Sequence, residues 1–350
     1  MRRLPVFFVL DCSESMVGDS LKQMEDGMQA IIRTLRTDPH ALETVYFSVI
    51  AFSGLAKTIV PLIEIFSFYP PKLPLGSGTS LGAALTVLMN EMDRAVVKTT
   101  AEQKGDWKPL VYLFTDGHPT DDPSPAIARW KAHYSRKATV IAVGLGRDVD
   151  FSILQHLTEH VIRFEPTQIG DFTKFINWIS ASVVAQSKSV GEGIEKDSLP
   201  ALDSSFMQLI KTPPPNLADS SCVTLVGRCQ STRKPYLIKY ENELQNVANL
   251  DFKIAVPMYY LTGCYPLSED YFDWSDGRTI ELKVNTTSLL GAPGCPYCGN
   301  VTAFAVCGCG KLLCINEPGE ATCPWCDQKV MFQPHSGNEN HGFDVGRSRG

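Results

Sequence analysis

The chain has 350 residues, 44% hydrophobic and 20% charged, with a formal net charge of −6. At roughly 100–200 residues per domain it can hold two domains and a linker, and its composition is that of a folded chain rather than a disordered one. The acidic balance, with no stretch that concentrates Lys and Arg, argues against a general nucleic-acid binder.

The opening Met1-Arg2-Arg3-Leu4-Pro5 is basic, but the apolar run Val6–Leu10 is too short for an export-signal core and Asp11 ends it. No later stretch reaches the roughly 18–20 uninterrupted apolar residues of a membrane helix. A soluble, intracellular protein is expected, with no membrane partner.

Short apolar runs at Val6–Leu10, Tyr46–Phe52, Leu110–Phe114, Thr139–Val143 and Val161–Phe164 predict strands buried on both faces. Between the first two, Leu21, Met24, Met28, Ile31 and Leu35 recur at helical intervals. Leu81, Leu85, Leu88 and Met92 do the same across Leu81–Val96. Lys57–Leu62 reads as an antiparallel edge hairpin with the strand before it, and a helix near Phe172–Val184 closes the domain. The alternation predicts a doubly wound α/β domain over residues 1–188.

The polar stretch Gln186–Asp197, followed by Pro200, marks a linker, drawn as residues 189–215. Beyond it, Cys222–Cys229, Tyr236–Tyr240, Phe252–Val256, Tyr259–Leu261 and Ile280–Val284 predict a small β-rich region with no long helix, drawn as residues 216–333. The Gly-, Asn-, Ser- and Arg-rich tail, residues 334–350, is expected to be disordered.

Three segments carry oxygen donors. Asp11-Cys12-Ser13-Glu14-Ser15 lies where the first strand ends, Gly76-Ser77-Gly78-Thr79-Ser80 precedes the second helix, and Thr115-Asp116-Gly117 follows the strand Leu110–Phe114. Open α/β sheets bind ligands at the carboxyl ends of their strands, which is where these segments fall. Hard cations such as Mg2+ want such oxygen ligands. The bland alternative is that Ser13 and Ser15 cap a helix. Cys12 reads as a packed core residue and His118 as an exposed loop histidine.

Seven of the 11 cysteines fall between Cys295 and Cys326. Without an export signal, ligation of a metal is favoured over disulfides. Cys295-Pro-Tyr-Cys298 and Cys323-Pro-Trp-Cys326 are two knuckles suited to one tetrahedral zinc. They would flank a ribbon hairpin of Val301–Val306 with Leu312–Ile315, the whole forming a zinc-ribbon-like module. Cys307, Cys309 and Cys314 are left over. They could serve a second zinc completed by Cys264, Cys229, Cys222 or His335, or Cys307 and Cys309 could form a knuckle of their own. One metal is the preferred count, with a structural role; nucleic-acid binding by the ribbon is the sharper alternative.

The three oxygen-bearing segments together resemble the metal-ion-dependent adhesion site of von Willebrand factor A (VWA) domains. That resemblance implies a Rossmann-like VWA fold with Asp11, Ser13, Ser15, Thr79 and Asp116 around Mg2+ or Mn2+. Neutral hydroxyl ligands would leave the cation able to accept a carboxylate from a partner. Where the family's commonest motif has Gly, this chain has Glu14, at a position that is not a ligand.

The combination of LPVFFVLDCSESM, LFTDGHPTDD, the run Thr99–Trp107 and CPYCGN…CGCGKLLC…CPWC resembles the bacterial TerY proteins of tellurite-resistance and stress-response systems. The resemblance implies a cytoplasmic protein that works beside a metal-dependent Ser/Thr phosphatase and a Ser/Thr kinase. A metal-dependent protein-interaction module is therefore expected, not an enzyme. The competing readings are a metal-dependent phosphoesterase and a thiol-based sensor of metals or metalloids. Aspartyl phosphotransferases place a second acid where this chain has Ser13, and no P-loop, Gly-x-Ser-x-Gly or His-Glu-x-x-His pattern occurs.

Overall fold

A computed structural model describes residues 2–116, 118–145, 149–165, 170–192, 200–210, 222–242, 258–277, 282–332 and 342–348. They form two compact units. The first comprises Met1–Cys12, Asp19–Pro74 and Thr79–Leu217, and the second comprises Ala218–Gly350 with the short segments Ser13–Gly18 and Leu75–Gly78.

In chain order the first unit runs β1 (Leu4–Asp11), α1 (Asp19–Thr37), α2 (Pro39–Thr44), β2 (Val45–Phe52), β3 (Ala56–Glu64), α3 (Leu81–Ala95), β4 (Leu110–Thr115), α4 (Ser124–His133), β5 (Thr139–Leu145), α5 (Phe151–Leu157), β6 (His160–Phe164), α6 (Asp171–Glu192) and β7 (Met207–Leu209). Its sheet has the order β3-β2-β1-β4-β5-β6-β7. The five inner strands are parallel, while β3 and β7 pair antiparallel at the edges.

The inner strands bury both faces because their side chains alternate between two helical layers. Phe7 and Val9 of β1 join a core with Leu81, Leu85 and Leu88 of α3 and Trp130 of α4. Phe8 faces the other way, where Phe114 and Phe175 of α6 stack edge to face. Helices α1 and α6 pack closely there. A Cβ on Gly27 would stand 2.5 Å from Ile176 and 2.8 Å from Phe172, so a larger residue would push the two helices apart.

From β1 the chain moves to β2 on one side and later returns to β4 on the other. The carboxyl ends of β1 and β4 are thus the switch point of a doubly wound sheet, where such folds open a crevice for ligands.

The second unit contains β8 (Cys222–Arg228), β9 (Pro235–Asn242), β10 (Tyr259–Pro266), α7 (Tyr271–Trp274), β11 (Leu282–Asn285), β12 (Leu289–Leu290), β13 (Thr302–Val306), β14 (Leu312–Ile315), β15 (Gly319–Thr322), β16 (Lys329–Phe332) and β17 (Asp344–Arg347). Six of these form a sheet of order β12-β10-β9-β8-β14-β13, and β11-β17 and β15-β16 form separate pairs. Leu225, Tyr236, Ile238 and Tyr240 are its buried centre. The Tyr236 ring crosses β8 so closely that a Cβ on Gly227 would meet it at 2.4 Å.

The structure departs from the sequence reading in three respects. Helix α6 continues to Glu192, past residue 188, and Met207–Leu209 from the expected linker pairs with β6. The tail is not wholly irregular: Asp344–Arg347 pairs with β11, anchored by buried Val345. The expected hairpin of β13 and β14 exists, but β14 also pairs with β8, so it is part of a larger sheet rather than a free ribbon. The strand expected at Phe252–Val256, the start of Ile280–Val284 and His335 lie outside the described residues.

Candidate metal centres

Asp11 closes β1 and is fully buried. The register Leu10↔Phe114 sets it beside Thr115, whose Oγ1 donates a 2.7 Å hydrogen bond to Asp11 Oδ2. Half-buried Asp116 follows directly. Two carboxylates at neighbouring strand ends are thus a consequence of sheet order, not of spacing along the chain.

Thr79 sits immediately before α3 and is locked to the segment that follows Asp116. Its N–H donates to Thr120 Oγ1 at 2.9 Å, and its carbonyl accepts from the Thr120 N–H at 2.9 Å. Asp121 then caps α3, accepting from the N–H groups of Gly82 (3.2 Å) and Ala83 (3.0 Å). Ser80 does not cap this helix; its hydroxyl donates to the Gly54 carbonyl instead. Thr120 and Asp121 carry no assigned role in the sequence reading. Their only signal there is the polar run after β4, and its partners lie far away in the chain.

Ser13 and Ser15 flank the start of a short 3-10 turn, Glu14–Met16, for which Ser13 makes no side-chain capping bond. Their hydroxyl oxygens are 3.0 Å apart. Octahedral Mg2+ with oxygens at 2.0–2.1 Å separates adjacent ligands by about 2.9 Å, so this pair fits two neighbouring corners of such a shell. Each of the five residues offers oxygen, the donor type that a hard divalent cation takes: Asp11, Thr79 and Asp116 in the first unit, Ser13 and Ser15 in the second.

The non-ligand position in this motif has its own role. Within the second unit, the fully buried Glu14 carboxylate accepts from the Tyr271 hydroxyl and from Thr224 Oγ1 (3.3 Å). Lys239 Nζ donates to the Ser15 carbonyl at 2.7 Å. The turn bearing both serines is therefore held through its backbone and through Glu14. Cys12 is fully buried, and burial followed by the charge of Asp11 pushes its thiol well up, so it is a packing residue. His118 is half-buried, not exposed as expected.

The cysteines correct the sequence reading. The two CxxC knuckles do not converge. Cys295 and Cys298 gather with Cys229 and Cys314, whereas Cys323 and Cys326 gather with Cys307 and Cys309. In each group of four the sulfurs lie within 4.8 Å of one another.

The Sγ–Sγ separations of Cys298–Cys314 (3.6 Å), Cys307–Cys326 (3.8 Å) and Cys309–Cys323 (3.9 Å) are far beyond a disulfide. They match the edge of about 3.8 Å expected for a tetrahedron with Zn–S bonds of 2.3 Å. Backbone N–H groups point at the sulfurs, as a thiolate prefers: Gln230 to Cys314 (3.2 Å), Thr232 to Cys229 (3.4 Å) and Trp325 to Cys323 (3.4 Å). Burial alone would raise the Cys229 thiol, but the hydrogen bonds from Thr232 outweigh it and hold it at about 7. Cys222 and Cys264 stand outside both groups.

Residues 6–176 match the family model of the von Willebrand factor type A domain, and residues 219–350 match that of the TerY-C metal binding domain. Two curated relatives are similar over 44% of this chain: inter-alpha-trypsin inhibitor heavy chain H6 of Homo sapiens, at 22% identity, and heavy chain H2 of Mus musculus, at 28%. The chain spans only 12% and 16% of their lengths. Among solved structures, proximal thread matrix protein 1 from the mussel byssus aligns at 20% identity over 52% of this chain and 48% of its own, with a TM-score of 0.38. The pilus adhesin SpaC from Lactobacillus rhamnosus GG aligns at 13% over 53% of this chain and 30% of its own, with a TM-score of 0.42. The two domain matches, with the cysteine clusters, support a metal-dependent interaction module. The chain joins a VWA domain to a TerY-C metal binding domain, and so has the two-domain architecture of the TerY-type proteins.

Proposed function

We propose that the VWA domain binds an acidic side chain of a protein partner through a divalent cation, Mg2+ or Mn2+, held by Asp11, Ser13, Ser15, Thr79 and Asp116. The observation that carries this reading is the placement of Asp11 and Asp116 at the carboxyl ends of the adjacent strands β1 and β4. Three hydroxyl ligands would leave the cation short of negative charge, and its chemistry when bound is to attract an outside carboxylate. Zn2+ in each cysteine cluster is the structural metal, giving two equivalents in place of the one expected from the knuckles.

The partners we assign are a metal-dependent Ser/Thr phosphatase and a Ser/Thr kinase in a cytoplasmic tellurite-resistance or stress-response system. The chain itself acts without catalysis. Ser13 stands where a phosphotransferase would carry its general acid, which disfavours the phosphoesterase alternative. A thiol sensor is disfavoured by the burial of Cys229, Cys295, Cys307, Cys314 and Cys323. No helix among the described residues is long and apolar enough to cross a membrane.

The test is affinity purification from cells with and without EDTA, comparing wild type with Asp11→Ala. Partner capture should fall by about tenfold or more in both cases, because direct coordination is lost, while moderate salt should weaken it only slightly. Ser13→Ala should act like EDTA on the partner and leave zinc content intact. A partner retained under all three treatments would make the cation structural and move the interaction surface elsewhere.

A further inference from the structure

We propose that the second unit holds an anion-binding site for a phosphate monoester, built on Arg228. The residue ends β8, next to Cys229 of the first cysteine cluster. Its guanidinium carbon lies 4.3 Å from the ring centre of Trp325, which stands between Cys323 and Cys326 of the second cluster, and 5.4 Å from that of Phe272. The Trp325 indole N–H donates to the Leu312 carbonyl at 2.7 Å and so fixes the ring. Both clusters therefore take part in placing this one cation.

Aromatic faces stabilise a guanidinium from above, but they leave its in-plane N–H donors unspent. Among the described residues no carboxylate pairs with Arg228, and its buried Nε finds no acceptor. A half-buried cation without a counter-charge is costly, and a bound anion is one of the partners that satisfies such a group.

A cavity of about 320 Å³ opens beside it, lined also by Thr232, Arg233, Lys234 and Glu269. The turn between β8 and β9 shapes this wall. It closes through Arg233 N–H to the Cys229 carbonyl (2.8 Å) and Cys229 N–H to the Lys234 carbonyl (2.9 Å), with Arg233 at φ 60°, in the left-handed region. Arg233 pairs with Asp327, but that pair is exposed and is weak enough to be exchanged for a ligand. Three cations against one lining carboxylate suit a dianion better than a single carboxylate. The rigid fork of Arg228 is the donor that grips phosphate oxygens in pairs. The phosphate could belong to a free small molecule or to a phosphorylated protein side chain.

The test is calorimetric titration of the zinc-loaded full-length protein with inorganic phosphate, with a neutral phosphoserine peptide and with the same peptide unphosphorylated. Saturable binding of the phosphate-bearing probes is expected. Arg228→Gln should weaken it about tenfold or more, and Arg228→Lys should recover only part of the loss, because the fork is gone. Zinc content shows whether either variant keeps its fold. Glu269→Gln, at an exposed position, should tighten binding a few-fold. A phosphopeptide that binds better than inorganic phosphate would identify a protein-borne group, and equal binding would identify a free small phosphate. The proposal is overturned if no probe saturates by about 10 mM, if the unphosphorylated peptide binds equally well, or if Glu269→Gln and a folded Arg228→Gln both titrate like wild type.

Discussion

The two units stabilise their folds by different means. In the first, a sheet buried on both faces packs Phe7, Val9, Leu85, Trp130 and their neighbours into a continuous apolar core, and the candidate carboxylates Asp11 and Asp116 lie at the strand ends beside it. In the second, three of the buried core residues, Cys229, Cys295 and Cys314, are themselves cluster ligands. A smaller core of Ala305, Leu313 and Phe332 likewise includes Cys307 and Cys323. In one domain the candidate cation ligands are not members of the apolar core; in the other, candidate ligands and core are in part the same residues. The identity of a metal says less about its role than whether its ligands also form the core.

The largest expected effect tests that contrast directly. Cys314→Ser should halve the zinc content and make the second unit protease-sensitive, since structural zinc supplies on the order of 10 kcal/mol of apparent binding free energy. The first unit should remain resistant in the same digest. Survival of the second unit after complete zinc removal would break the comparison.

A middle-sized effect should come from Thr115→Val at the edge of the first unit. It deletes the hydrogen bond to the buried Asp11 carboxylate, which should cost about 1.5–3 kcal/mol of stability in chemical denaturation without metal. Saturating Mg2+ should recover part of the loss, because the cation offers Asp11 another partner. A denaturation midpoint unchanged by the substitution would mean that Thr115 does not support the carboxylate.

The smallest effect lies far from any metal. Asp38 caps α2, accepting from the Ala41 N–H at 3.0 Å, and Asp38→Ala should cost about 1 kcal/mol. Burial works against the Asp38 charge, but the bond from Ala41 and the attraction of Lys188 prevail and lower its pKa. Its contribution should be complete above the unfolded carboxylate value near ~4, and it should fade as pH falls through the lower folded value. Denaturation curves of the pair that stay equally far apart in acid would contradict this.

Much of the first unit was legible because a strand buried on both faces is written as an unbroken apolar run. β1, β2, β4, β5 and β6 were each located to within a residue or two at either end. The short helices α2, α4 and α5 were not, since each is too brief or too weakly amphipathic to show a period. The segments that hold Asp11, Ser13, Ser15, Thr79 and Asp116 were legible as two strand ends and a Gly-rich turn, but the choice of these five residues came from the resemblance to VWA domains. The cysteine grouping could not be read from spacing. It depends on β14 lying parallel to β8 with Leu313 opposite Arg228, which carries Cys314 to Cys229. That pairing joins distant parts of the chain.

The interleaving of the two clusters also sets an order of events during folding. Cys307 and Cys326 are roughly 20 residues apart, whereas Cys229 and Cys314 are separated by about 85, a difference in loop-closure entropy of about 1.3 kcal/mol. The compact cluster is therefore expected to close first and to hold β13 and β14 ready for the slower arrival of β8. A ribosome releasing this chain would expose Cys229 before any of its three partners, leaving one thiol of the first cluster unmatched while roughly 65 further residues are made.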